Sequence, residues 1–325
     1  MKVTIKKFVG GDNMHVATTV LKCICITLLS ALPAFCMAET VAADEQKGTS
    51  VLTVDEIAKE LSSPVTTLVT LENDFEFRSY QGDLSGADDQ SALIYKLKAS
   101  LPIPLDSGKN IFLRVTIPIN SNQPLYFVDN VEIPEFLVRQ LADGLPPDRE
   151  FIDGHDHLAD IELDIAYGGV SDNGFISMYG ITAVFPTSQD FSSGIDQYRL
   201  GAEVAFGKVT PWGVYGARAK HLTRVSGEDA WDTNMTSLQV FYAYGLGNGW
   251  QVISNPLIEY DWEAAADNKL LLPVGAGMAK TTRIGKMPLR MAFELQYYVI
   301  SPNSLGPQWL FTFSLTPAFG NPFQN

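Results

Sequence analysis

Val69-Thr70-Leu71-Glu72-Asn73-Asp74-Phe75-Glu76-Phe77-Arg78 alternates between two kinds of surface. Val69, Leu71, Phe75 and Phe77 share one parity. Thr70, Glu72, Asp74, Glu76 and Arg78 share the other. A helix, with its period of 3.6, would mix the two sets; an extended strand keeps them on opposite faces. The same parity returns along the chain. Leu93, Tyr95, Leu97, Ala99 and Leu101 oppose Ile94, Lys96, Lys98 and Ser100. Ile111, Leu113, Val115 and Ile117 oppose Phe112, Arg114 and Thr116, and Ile161, Leu163, Ile165 and Tyr167 oppose Asp160, Glu162, Asp164 and Ala166. Segments 197–206, 289–299 and 309–317 alternate as cleanly. Less regular strands are expected near 174–185, 212–222, 236–244, 250–262 and 268–279. The total is about twelve, most of them about the 9–11 residues that a tilted strand needs to cross a bilayer.

The connections alternate too. Short ones fall at 106–109, 171–173, 208–211, 245–249 and 284–286, and longer ones at 79–91, 120–157, 186–195, 224–234 and 301–308. Only the connection 263–267 is short on the long side. With both termini in the periplasm, every short turn lands on the periplasmic side, as in outer-membrane barrels. In a bilayer each unpaired backbone group costs several kcal/mol, so an open sheet edge is excluded and the strands must close. The expected fold is therefore all-β: a closed antiparallel transmembrane β-barrel of about twelve strands, with a short N-terminal helix. Aromatic residues near strand ends suggest interfacial girdles: Tyr80, Tyr126, Phe127, Tyr167, Trp212, Tyr242, Tyr244, Trp250, Tyr260, Trp262, Tyr297, Tyr298 and Trp309.

The N-terminus reads as an export signal. Lys2, Lys6, Lys7 and Lys22 precede the apolar run Cys23–Phe35, and cleavage after Ala38 fits the small residues there. The run is shorter than the roughly 20 residues of a spanning helix. A lipid anchor on Cys36 is disfavoured by Phe35 immediately before it. All three cysteines (Cys23, Cys25, Cys36) lie in this signal, so the mature chain would carry neither a disulfide nor a cysteine metal site. Four lysines and one aspartate leave with residues 1–38, which takes the formal net charge from −14 to −17. Such a surface repels phosphate backbones and disfavours nucleic acid as a partner. The organisation expected is a signal peptide at 1–38, a periplasmic leader and short helix at 39–64, and the barrel at 65–325. Within the leader, Thr53–Leu61 is the helix, with Thr53 or Asp55 near its N-cap and Pro64 beyond its end. It could plug the lumen or tether the chain in the periplasm, and the residues alone favour neither.

In a closed barrel the apolar parity faces lipid and the polar parity faces the lumen. The lumen-lining candidates are the acids Glu72, Asp74, Glu76, Asp160, Glu162, Asp164, Glu203, Glu259, Asp261 and Glu294. The basic ones are Arg78, Lys96, Lys98, Arg114, Arg199, Arg218, Lys220 and Arg290. They could form a selectivity surface for a permeant, or a cross-strand salt-bridge lattice that stiffens the wall.

Three blocks carry a family resemblance. The first is Ile57-Ala58-Lys59-Glu60-Leu61-Ser62-Ser63-Pro64-Val65. The second is Leu101-Pro102-Ile103-Pro104-Leu105 with Phe112–Ile119. The third holds Ser254-Asn255-Pro256, Tyr260-Asp261-Trp262-Glu263-Ala264, Leu272-Pro273-Val274-Gly275, Arg283-Ile284-Gly285, Tyr297-Tyr298-Val299 and Gly306-Pro307-Gln308-Trp309. Over nearly all the mature chain the sequence resembles the outer-membrane transporters named for the MetA pathway of phenol degradation. The resemblance implies movement of small or hydrophobic molecules, aromatic ones among them, across the outer membrane and brings no catalytic residues. No energy-coupling motif is visible in the sequence, so passive diffusion without a cofactor is expected. Insertion by the barrel assembly machinery is expected with it. One departure is the extension Ala318–Asn325 past the last strand.

Other features of the sequence have both a functional and a plainer structural reading. His155-Asp156-His157 could be a surface metal site or merely a polar loop end, and the spacing favours the loop end. The apolar stretches of the loop 120–157 could fold into the mouth as a lid or pack outside it. An occluded structural barrel is the alternative to a channel. A lipid-acting hydrolase is a remote alternative; it would have to use His221, the only strand histidine, with a serine such as Ser226.

Overall fold

The computed structural model describes residues 52–129, 131–154, 156–188 and 194–323; the expected signal peptide and residues 39–51 lie outside them. In chain order the elements begin with helix α1 (Val54–Leu61), β1 (Val69–Gln81), β2 (Ser91–Pro104) and β3 (Asn110–Ser121). An insertion follows: β4 (Pro124–Val128), β5 (Val131–Pro134), α2 (Glu135–Leu141), β6 (Glu150–Asp153) and β7 (His157–Leu158). Then come β8 (Ile161–Val170), β9 (Phe175–Phe185), β10 (Gln197–Thr210), β11 (Gly213–Gly227) and β12 (Asn234–Gly247). The chain ends with β13 (Trp250–Ser254), β14 (Leu257–Asp261), β15 (Leu270–Ile284), β16 (Met287–Ile300) and β17 (Gly306–Phe319).

β13 and β14 are one strand with a break, so the wall has twelve strands. Each pairs antiparallel with its neighbour, and β1 closes on β17 from Val69↔Phe319 to Gln81↔Gly306. No edge is left along the wall. The described residues contain no helix long and apolar enough to cross a membrane; the crossing is made by strands. The apolar parity points outward and is exposed around the circumference: Phe77 on β1, Ile181 on β9, Phe206 on β10 and Phe293 on β16 are each about half exposed. A continuous belt of this kind far exceeds the few hundred Å² of apolar patch that a soluble monomer carries. Asn73, which interrupts the outward set on β1, is satisfied locally. Its Nδ2 donates to the carbonyls of Leu71 and Leu315, and its Oδ1 accepts from the Tyr95 hydroxyl at 2.8 Å. In hydrocarbon an unpaired amide could not be tolerated there.

The aromatic girdles are narrower than the sequence suggested. Trp212 stacks on Tyr215 and packs at a tilt against Tyr242 and Tyr244 near the short turns. At the other rim Tyr260 packs on Trp262 and Tyr297 on Trp309. Tyr80 and Tyr298 are not girdle residues: both are buried and share the inward parity of Arg78 and Gln296. Tyr126 and Phe127 lie on β4, in the insertion.

The strand break falls at Asn255-Pro256. β13 leaves β15 at Ile253↔Gly277, and β14 rejoins it at Glu259↔Leu271. Pro256 has no N–H to give a ladder. Side chains fill in. Asn255 donates through its backbone N and Nδ2 to Glu294 at 2.7 and 2.9 Å, and Ser254 Oγ donates to the Gly275 carbonyl at 2.7 Å.

The insertion is a folded cap. β5-β4-β6 form a three-stranded sheet, and α2 packs on it. Tyr126, Ile133, Leu137 and Val138 of the cap join Tyr80, Leu84, Ala87, Ala92 and Leu305 in one buried cluster. Burying side chains of this size stabilises by about 1.5–3 kcal/mol each. Polar contacts carry the cap across the mouth. Tyr80 Oη donates to Glu135, Gln140 Nε2 to the Asp232 carbonyl, and Ala265 N to the Arg139 carbonyl. The apolar stretches of 120–157 therefore lie over the opening.

Candidate functional site

The site is the interior of the barrel, closed at one end by α1 and covered at the other by the cap. α1 begins with a capping box. Glu56 N donates to Thr53 Oγ1, while Thr53 N and Oγ1 donate to Glu56 Oε2 at 2.7 and 2.9 Å. Its Ile57 and Ala58 are buried, and the following turn packs Val65 among Phe112, Ile176, Met178, Val214 and Phe241, all inward-facing. Gly249 N donates to Asp55 Oδ1 at 2.6 Å, Ser62 Oγ to Gln251 Oε1 at 3.0 Å, and Arg283 to the Leu52 carbonyl at 2.5 Å. Gly249 has φ +77, and a Cβ there would come within 2.6 Å of Val54 Cγ1, so the tight turn and the docked helix both require glycine. The short turns near Pro211 and Gly249 are at this end, so α1 sits inside the mouth on the short-turn side. The C-terminal tail is fastened beside it: Asn321 Nδ2 donates to the carbonyls of Thr67 and Pro102.

Above α1 is a cavity of about 640 Å³. Most of the lumen candidates line it, and they fall into groups set by strand register. On the first side, Glu72 lies opposite Lys98 and Asp74 opposite Lys96 on β2. Lys98 Nζ reaches Glu72 at 2.9 Å and Asp74 at 2.5 Å; Lys96 Nζ reaches Glu76 at 2.6 Å, and Arg78 reaches the same carboxylate at 3.1 Å. The second group spans β3, β8, β10 and β11. Arg114 and Arg218 both hold Glu203, the latter at 2.6 Å. Arg218 also reaches Asp164 at 2.9 Å, and Lys220 bridges Glu162 and Asp164 at 2.5 and 3.0 Å. Arg199 pairs with Asp160 at 2.9 Å. Glu203 is fully buried within its pairs and stands behind the cavity lining rather than on it.

The remaining candidates differ. Glu294 is taken up by Asn255 and Gln296. Arg290 and Glu259 line the cavity without an ion pair among the described residues. Asp261 accepts from Glu263 N and lines a second cavity, of about 350 Å³, under the cap. The two cavities share Arg78, Lys96, Pro118, Asp160, Arg199, Met235 and Glu259, so they adjoin. At the level of the cavity the inward residues of β12, β13 and the middle of β15 are neutral, including Ser237, Gln239, Phe241, Ile253 and Gly277, whereas Arg283 of β15 carries charge at the α1 end. The lumen thus has a charged arc and a neutral arc. Sequence reasoning missed the cap's Arg139, which is buried at 4% exposure and lines the upper cavity.

Two minor candidates fared poorly. His155 lies outside the described residues, and Asp156 accepts from Ser121 Oγ at 2.5 Å. No cluster of three metal-binding side chains occurs among the described residues. His221 Nδ1 lies 2.9 Å from the Thr236 hydroxyl, and that hydroxyl also accepts from Trp262 Nε1. The partner of His221 is therefore a threonine, not Ser226, which pairs with Tyr198 farther along the strand.

A closed twelve-stranded wall with an apolar belt, aromatic rims and a polar interior defines an outer-membrane β-barrel, set in the lipid bilayer. Among solved structures the chain is similar to an outer membrane channel from Pseudomonas putida F1, with a TM-score of 0.54 and 11% identity over 85% of this chain and 100% of that one. The NanC porin (TM-score 0.43, 10% identity, 77% of this chain and 98% of that one) and outer membrane phospholipase A from Escherichia coli (0.40, 12%, 82% and 98%) have related outlines. These are likenesses of fold. No protein-family model matches the chain, and no curated protein matches it.

Proposed function

We propose that this barrel is a passive outer-membrane channel for small molecules, entered beneath the cap and opened to the periplasm by displacement of α1. The observation that carries the reading is the pair of adjoining cavities between cap and helix, lined by acidic and basic side chains. Export by a signal in residues 1–38 and insertion by the barrel assembly machinery belong to the same proposal. So does membership of the transporter family named for the MetA pathway, to which the sequence blocks point. The reading assigns the chain no catalysis.

The lattice from Arg114 to Lys220 favours a second reading, an occluded structural barrel whose charges serve only to brace the wall. Single-channel conductance of the refolded protein, with and without residues 39–64, separates the two. Conductance that is low in the intact chain and rises on truncation supports the channel with α1 as its plug. Absence of conductance in both, with folding verified by a heat-dependent shift in gel mobility, leaves the structural barrel.

A further inference from the structure

The cavity under the cap contains hydrogen-bond donors that the protein leaves unused. Arg139 lies on α2 between Val138 and Gln140 and is 4% exposed. Its Nε donates to the Asn268 carbonyl at 3.4 Å, while its Nη2 is buried with no acceptor among the described residues, and no carboxylate lies within ion-pair distance. Gln123, on the same lining, is 7% exposed and its Nε2 has no acceptor either. Arg78 and Arg199 each satisfy a carboxylate through Nη2 but keep a buried Nε unpartnered. Four residues on the lining of one small cavity thus carry an unpartnered donor, three of them guanidinium groups, and the acceptor-only chemistry of a carboxylate matches that set. A buried guanidinium without a counter-charge is costly, and an anion supplied from outside removes that cost.

The rest of the lining indicates what the anion is attached to. Phe136, Ile195, Met235 and Leu271 face the same space. Its volume of about 350 Å³ is at the small end of ligand cavities. We propose that the vestibule beneath the cap binds a small organic carboxylate with an apolar body, its carboxylate held by Arg139 with help from Gln123, Arg78 and Arg199. This deepens the channel reading by naming the class of solute admitted, and it rests on that reading for its physiological sense.

The test is calorimetric titration of the intact refolded barrel with hexanoate and, separately, with its neutral counterpart hexanamide. Saturable binding of hexanoate, with hexanamide at least tenfold weaker, is expected. Arg139→Gln should weaken hexanoate at least tenfold. Glu259→Gln should strengthen it, because it removes an unpaired carboxylate from the same lining. Equal affinity for acid and amide overturns the proposal in the unaltered chain alone, even if Arg139→Gln fails to fold. Unchanged hexanoate binding in a folded Arg139→Gln variant overturns it as well. Conductance is measured separately: binding without conductance would sink the channel reading and leave the site standing, and conductance without carboxylate preference would do the reverse.

Discussion

Replacing Glu203 with glutamine probes whether the charged arc is a desolvated lattice or a wetted one. The carboxylate is fully buried and faces the guanidinium groups of Arg114 and Arg218. At an effective dielectric near 20, two unit charges 4 Å apart attract by about 4 kcal/mol, and Glu203 has two such partners. Its own desolvation offsets much of that gain. Glutamine preserves the shape and removes the charge, which leaves Asp164 as the carboxylate shared by Arg114 and Arg218, at 3.7 and 2.9 Å, while Lys220 keeps both Asp164 and Glu162. Removing one partner from a buried pair costs about 3–5 kcal/mol. Asp232→Asn, in the exposed pair with Arg224, serves as the control and should cost about 0–1 kcal/mol. Equilibrium urea unfolding of the refolded protein in lipid vesicles, followed by tryptophan fluorescence, measures both. A loss below about 1 kcal/mol for E203Q would refute the reasoning and mean that water screens the arc.

Three further outcomes follow from the geometry. Phe293→Arg puts a charge on the lipid face of β16 and should cost about 2–4 kcal/mol in the same unfolding assay, whereas Gln239→Arg, on the lumen side, should cost under about 1 kcal/mol. Gly249→Ala forces a left-handed backbone on a residue with a Cβ and crowds Val54, so α1 should undock more often; amide hydrogen exchange across 54–61 should speed up several-fold. Docking of α1 should also depend on pH. The Thr53 backbone N–H, then the Thr53 hydroxyl, holds the Glu56 carboxyl below its ordinary range. A carboxyl lowered on folding stabilises above the unfolded-state value, and that contribution is lost as pH falls through the folded value. A nitroxide placed at position 52 (L52C) should therefore become mobile on acidification below the ordinary glutamate range, and Thr53→Ala should abolish that dependence.

Parity alone located the wall. Because side-chain direction has a period of two, the run Val69–Arg78 already put Glu72, Asp74 and Glu76 inside and Phe75 and Phe77 outside, and β2 placed Lys96 and Lys98 to meet them. The same rule would have kept Tyr80 and Tyr298 out of the girdle, since they share the inward parity of Arg78 and Gln296; position at a strand end was the weaker signal. The cap was not legible. Its strands are four or five residues long and α2 only seven, too short for either period to emerge, and it is held by loops scattered along the chain. Arg139 sits four residues after Glu135 on a short helix, and its lack of an ion pair is a property of the tertiary fold. The docking of α1 rests on long-range contacts from Asp55 and Ser62, which no local pattern encodes.

The break at Asn255-Pro256 makes the barrel mechanically uneven. A backbone ladder resists shear because each rung shares the load with the next. Between Ile253 and Glu259 the rungs facing β15 are missing, and the load passes through Asn255 and Ser254 instead. The opposite arc, from β3 to β11, carries longer runs of backbone ladder and a mesh of ion pairs. Strain imposed by the bilayer is therefore taken up along one crease in the neutral wall, while the charged arc moves as a single stiff shell.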